Sequence, residues 1–131
     1  MRVPSQALRW LLLDKSALVR ATDLPASSLG DPCICPITRL ELLHSARSAE
    51  DYGRIESELA AFHELRVDIE TIRSAVTAHR ELGLRGRHRV PIPDLLIAAC
   101  AQQHQATVLH VDRHYDTLTE VLDFEALRLA A

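Results

Sequence analysis

Along the chain, short continuous apolar runs alternate with helical periods, the pattern of an α/β fold. Trp10–Leu13 is an uninterrupted apolar run, as a buried parallel strand requires, and it ends at Asp14. Ala17, Leu18 and Ala21 then predict a helix, and the Ser-, Gly- and Pro-rich stretch from Pro25 to Pro32 predicts a turn. Cys33–Ile37 reads as a second strand, after which Thr38 opens a helix toward Ala46. Ser48 to Phe62 is helical, with Ile55, Leu59 and Phe62 on one face. Leu65–Val67 is a short strand candidate. Ile69, Ile72, Val76 and His79 mark another amphipathic helix, closed near Gly83. The helix from Asp94 to Gln103 is apolar almost all round and so should be buried. Thr107–Val111 is a strand ending at Asp112, and Val121–Leu127 reads as a last short strand.

With 131 residues, of which 47% are apolar and 25% charged, the chain has the size and balance of one globular domain, 1–131. Its longest purely apolar run, Leu95 to Ala101, is too short to span a membrane. Arg2 and Arg9 flank a stretch broken by Pro4, Ser5 and Gln6, which is no signal-peptide layout, so the expected location is the cytoplasm. The three cysteines, Cys33, Cys35 and Cys100, are an odd number and predict no disulfide framework. Cys33 and Cys35 should share one sheet face as small buried hydrophobes.

The chemistry lies in four acids. Asp14 and Asp112 end strand-like runs, and Glu41 and Asp94 sit in the first turn of predicted helices. In a parallel sheet the carboxyl ends of the strands line one edge, so residues far apart in sequence meet there. Each acid also has an ordinary reading. Asp14 suits a helix N-cap, Thr38-x-x-Glu41 matches a capping box, Asp94 after Pro93 favours a helix dipole, and Asp112 suits a turn. Asp94 fits its ordinary reading least, because it heads a helix with no polar face, where an uncompensated charge is costly. Clustered carboxylates persist when a divalent cation compensates them, and hard oxygen ligands suit Mg²⁺ or Mn²⁺. Such an ion activates water and stabilises the leaving oxygen of a phosphodiester. Net charge is −3; without the four acids the rest of the chain carries +1, with 14 Arg and one Lys, Lys15. Guanidinium forks suit phosphate, so Arg39 and Arg113, beside two of the acids, and the basic loop Arg85–Arg89 are candidate contacts for a nucleic acid.

Taken in order, Leu12-Leu-Asp14-Lys-Ser16, Ile37-Thr38-Arg-Leu-Glu41-Leu, Ile92-Pro-Asp94-Leu-Leu-Ile-Ala-Ala99 and Val111-Asp112-Arg-His-Tyr115 resemble the ordered motifs of PIN-domain ribonucleases, and among these the VapC toxins of toxin–antitoxin pairs. The resemblance spans Leu12 to Tyr115. It implies a three-layer sandwich with a central parallel sheet of four to five strands between helices. It implies cleavage of RNA (tRNA, rRNA or mRNA) with Mg²⁺ or Mn²⁺. It also implies a homodimer and a VapB-like antitoxin, bound as a heterotetramer or larger assembly. Carried over residue by residue, Asp14, Glu41, Asp94 and Asp112 match the family's acids, Ser16 its small hydroxyl residue, and Thr38 the Thr/Ser before the second acid. The chain departs from the pattern at two places. The family often has an acid two positions after the last aspartate, where this chain has His114, with Asp116 displaced beyond Tyr115. Two positions before that aspartate the family often has Thr or Ser, and this chain has His110.

The residues alone leave other readings open. An aspartyl phosphatase would use Asp14 as nucleophile but needs a second Asp where Ser16 stands. A catalytically silent PIN-like binding module would be expected to lose acids, and all four are present. The Leu18–Leu24 segment and the Ile55–Leu59–Phe62 face offer a seat for an antitoxin helix or a second subunit.

Overall fold

The computed structural model describes residues 9–19 and 30–129. The expected Ala21 end of the first helix, the Leu18–Leu24 segment beyond Val19 and most of the Pro25–Pro32 turn lie outside these residues. Five strands form one parallel sheet: β1 (Trp10–Leu13), β2 (Asp31–Ile34), β3 (His63–Glu64), β4 (Thr107–His110) and β5 (Glu125–Arg128), in the order β3-β2-β1-β4-β5. Six helices connect them: α1 (Lys15–Leu18), α2 (Pro36–His44), α3 (Ala49–Leu59), α4 (Ile69–Leu84), α5 (Ile92–His104) and α6 (His114–Leu118). Among the described residues no helix is long and apolar enough to cross a membrane.

β1 is apolar throughout, and it, with the buried parts of β2 and β4, is covered on both faces. Side chains alternate across a strand, so Leu12 joins Cys33 and Val108 on one face, under α4 and α5. Leu11, Leu13 and Leu109 lie on the other face with Ala17 of α1, and Ile34 packs there with Leu43 of α2 and Leu59 of α3. This makes the three layers the motifs implied. α5 is the most buried helix, with Leu95 and Ile97 to Ala101 all inside. Burying a side chain of the size of Leu95 or Ile97 contributes roughly 1.5–3 kcal/mol.

Several local expectations shift. β2 ends at Ile34, not Ile37, because Pro36 starts α2. Glu41 is therefore in the second turn of α2, and Thr38 and Glu41 form no capping box. The capping box sits instead at Asp68 and Thr71, opening α4. Pairing beside β2 uses His63–Glu64, two residues before the expected Leu65–Val67, and the last strand begins at Glu125, four residues after Val121. The apolar residues that mark α4 in the sequence are not those it buries. Ile69, Ile72 and Val76 are exposed, and Thr71, Ala75, Ala78 and Leu82 face inward. Small residues allow α4 to approach the bulky surface of α5 closely. Cys33, Cys35 and Cys100 are buried, free and in one core cluster, although Cys35 lies past the end of β2 as the N-cap of α2.

Candidate metal centre

Four chain segments converge at the carboxyl edge of β1 and β4. Asp14 directly follows β1, and its backbone N–H donates to Leu109 O at 3.0 Å, continuing the pairing with β4. It caps α1, accepting at Oδ2 from the Ser16 backbone N–H at 3.1 Å and from Ser16 Oγ at 2.7 Å. Asp14 is thus the N-cap that its sequence position suggested, and capping uses only Oδ2. Ser16 Oγ in turn accepts from Val111 N–H at 3.0 Å, tying the segment after β1 to the segment after β4. Thr38 performs the equivalent task for α2: its buried hydroxyl donates to Leu13 O at 3.2 Å, drawing α2 and Glu41 toward the end of β1.

Asp94 lies in the first turn of α5, which has no side-chain cap, and is only 7% exposed; Asp14 is 4% exposed. Between them lies Tyr115, fully buried on α6. Its hydroxyl donates to Asp14 Oδ1 at 2.7 Å and lies 3.5 Å from Asp94 Oδ1. Burial, reinforced by Asp14 and Asp112, pushes the Asp94 carboxyl up to about 7, against a smaller opposing pull from His114. Burial and the negative charge of Asp14 likewise raise the Glu41 carboxyl, opposed by Lys15. The Tyr115 hydroxyl is held well above its usual range by burial and the same acids, so it remains a proton donor.

Asp112 and His114 form the outer side. His114 Nδ1 lies 2.8 Å from Asp112 Oδ1 and 3.0 Å from Asp94 Oδ2, the latter in hydrogen-bond geometry. Asp94, Asp112 and His114 each offer a ligand atom within 4.8 Å of the others and could hold a metal ion. The site also fits a cation on a separate observation: Glu41 Oε1 is buried with no hydrogen-bond partner among the described residues. A cation, or a water held by one, would satisfy an oxygen in that position.

The remaining sequence candidates divide. Arg39 is paired with Glu64: its Nε and Nη2 donate to Glu64 Oε1 at 3.0 and 2.7 Å, bracing α2 against the end of β3. Arg113 is exposed at the N-cap of α6, and Asp116 is exposed one turn further on, outside the group of candidate ligands. In the basic loop, Arg87 is held by Glu120 at 2.7 Å and Thr117 at 3.1 Å, and Arg85 lies near Glu81 and Glu120, so both are tied to their own protein surface. Lys15, Glu41, His44, Tyr52 and Pro93 line an open depression of about 540 Å³ beside the acids.

A model of the PIN domain matches residues 5–121. The chain belongs to the PIN-domain family. Among curated PIN-domain relatives it is 42% identical over 126 residues to Ribonuclease VapC17 of Mycobacterium tuberculosis, covering 91% of this chain and 95% of that protein. It is 39% identical over 132 residues to Ribonuclease VapC2 of the same species, covering 92% of each. Among solved structures, VapBC-5 from M. tuberculosis superposes with a TM-score of 0.70 at 23% identity, covering 92% of this chain and 98% of that one. DNA-bound VapBC from Salmonella typhimurium gives 0.73 at 19% identity, with the same two coverages. These structural likenesses establish the PIN fold.

Seen as a PIN domain, the chain has two site residues whose roles the sequence did not disclose. Tyr115 stood in the fourth motif as an aromatic, but its hydroxyl is what separates Asp14 from Asp94. His110, where the family often has Thr or Ser, is 1% exposed and packs at 4.8 Å against the Tyr115 ring. Burial lowers its pKa, and its neutral Nδ1 accepts from the Asp112 backbone N–H at 3.1 Å.

Proposed function

We propose that this PIN domain is the toxin of a toxin–antitoxin pair, an endoribonuclease that hydrolyses RNA with Mg²⁺ or Mn²⁺. The reading rests most on one observation: Asp14 and Asp94 lie side by side, nearly inaccessible to water and bridged by a single phenol hydroxyl, and among the described residues no basic side chain except His114 is bonded to either. A bound cation relieves the repulsion between two such carboxylates. The relatives named VapC ribonucleases support the activity.

In this reading Asp14, Asp94 and Asp112 hold the ion. The ion, when bound, acidifies a water and offsets the charge that gathers on the scissile phosphate. Glu41 Oε1 orients the attacking water and accepts its proton, a task that its raised pKa suits. Tyr115 fixes Asp14 Oδ1, and Ser16 fixes Asp14 Oδ2, so the carboxylate is set before substrate arrives. Lys15, on the open depression, is placed to meet a backbone phosphate.

The partner is a VapB-like antitoxin, and the toxin acts as a homodimer. A groove of about 470 Å³ lined by Leu18, Leu42, Ile55, Leu59 and Phe62 supports a seat for an apolar antitoxin helix. A cytoplasmic location fits this RNA-cleaving reading. Incubating antitoxin-free protein with defined tRNA, rRNA and mRNA fragments tests the reading. Cleavage with Mg²⁺ or Mn²⁺, absent with EDTA and absent in Asp14→Asn, supports it. No cleavage of any fragment with either ion overturns it.

A further inference from the structure

We propose that His114 is itself a metal ligand, through Nδ1, and that it turns the site toward first-row transition ions, Mn²⁺ among them, at the expense of Mg²⁺. This rests on the metal-dependent reading above and names the ion that reading leaves open.

The geometry carries it. His114 Nδ1 is aimed between two carboxylates, 2.8 Å from one oxygen of Asp112 and 3.0 Å from one oxygen of Asp94. The three donor atoms lie within 4.8 Å of one another, a set that one ion can reach. The backbone places the ring there: α6 begins at His114, and its N–H donates to Asp112 Oδ1 at 3.4 Å, fixing the turn between the two ligands. The His114 side chain is 41% exposed, so the ring can move by tenths of an ångström without disturbing the core. It places an imidazole nitrogen beside two carboxylate oxygens at the rim of the donor set.

That nitrogen has a chemical consequence. Mg²⁺ is a hard ion that binds oxygen and gives up its waters reluctantly. An imidazole nitrogen suits later divalent ions, whose affinity for mixed nitrogen and oxygen sites rises from Mn²⁺ across the row. A set of carboxylates plus one imidazole therefore discriminates more strongly against Mg²⁺ than a set of carboxylates alone. His110, the other nearby histidine, is not available for this role, because its Nδ1 accepts the Asp112 N–H and its ring is buried against Tyr115.

The test measures binding of Mn²⁺ alone and Mg²⁺ alone to the full chain and to His114→Asp by calorimetry. Electron spin-echo spectroscopy of bound Mn²⁺ then detects directly coordinated imidazole nitrogen. The expected result is a nitrogen modulation in the native chain that His114→Asp abolishes, with the ratio of Mn²⁺ to Mg²⁺ affinity falling about tenfold or more in the variant. Circular dichroism checks that the variant stays folded. If Mn²⁺ binds the native chain without nitrogen coupling, or the ratio is the same in the variant, His114 is not a ligand and the proposal fails, while the metal-dependent reading stands. If neither ion binds the native chain, the metal-dependent reading fails and this proposal with it.

Discussion

The inner and outer acids of the site live under different physics. Asp14 and Asp94 are 4% and 7% exposed, held apart by the Tyr115 hydroxyl, and Asp94 is pushed up to about 7. The outer pair, Asp112 and His114, has side chains 37% and 41% exposed, with His114 Nδ1 2.8 Å from Asp112 Oδ1. The inner pair therefore stores an electrostatic debt in the ion-free chain that water cannot screen, and the outer pair stores little. In the proposed reading the inner acids create the demand for a cation, and His114 on the outer side selects which cation answers it.

Breaking the inner pair should have the largest effect. Asp94→Asn should lower RNA cleavage by about 10²–10³-fold, the several kcal/mol an ion contributes to a phosphoryl transition state. In the ion-free state the same variant should melt at a higher temperature than the native chain near pH 8, because a buried repulsion is gone; gel-based cleavage and thermal melts read both. Tyr115→Phe should come next, lowering cleavage about 10–100-fold by freeing Asp14 from its fixed position. It should also destabilise the fold by about 1–3 kcal/mol, since Asp14 Oδ1 then has no donor in a buried place; denaturant titration checks this.

The pH response sharpens the contrast further. The folded pKa of Asp94, about 7, lies above its ordinary value of 3.8. Its contribution to stability is complete below about pH 4 and is lost as pH rises through about 7. The ion-free chain should therefore lose thermal stability across that window, and Mn²⁺ should raise the melting temperature more near pH 8 than near pH 5. The smallest effect belongs to Arg39, which braces α2 against Glu64. Arg39→Ala should leave cleavage within about twofold and alter stability by at most about 1 kcal/mol, as expected of a partly exposed ion pair.

Much of this arrangement was legible in the sequence, for reasons that also explain what was not. Trp10–Leu13 read as a buried strand because a parallel strand covered on both faces is apolar throughout, and Thr107–Val111 read as a strand from its short run ending at Asp112; the structure has them as Trp10–Leu13 and Thr107–His110. Asp94 was legible because α5 has no polar face to receive it. α4 misled because its exposed Ile69, Ile72 and Val76 outweigh, in hydrophobicity, the Ala75 and Ala78 that it buries; periodicity finds large apolar residues, whereas close helix packing selects small ones. The Thr38 and Glu41 spacing matched a capping box, yet Pro36 had already started the helix, which freed Thr38 to bond Leu13 and left Glu41 unpaired. Arg39 seemed a substrate contact because it neighbours the acids in sequence, but its partner Glu64 is brought in by the β2–β3 pairing, a contact 25 residues away that no local pattern reveals. The roles of His110 and Tyr115 were equally hidden, since each depends on where a buried side chain ends in space.

The most direct measurement is anomalous scattering from crystals of the full chain soaked in Mn²⁺. The account predicts a single dominant anomalous peak at ligation distance from Asp94 and Asp112, with Asp14 beside it, and loss of that peak in Asp94→Asn. No ordered ion at these carboxylates, or a peak that survives Asp94→Asn unchanged, would contradict it.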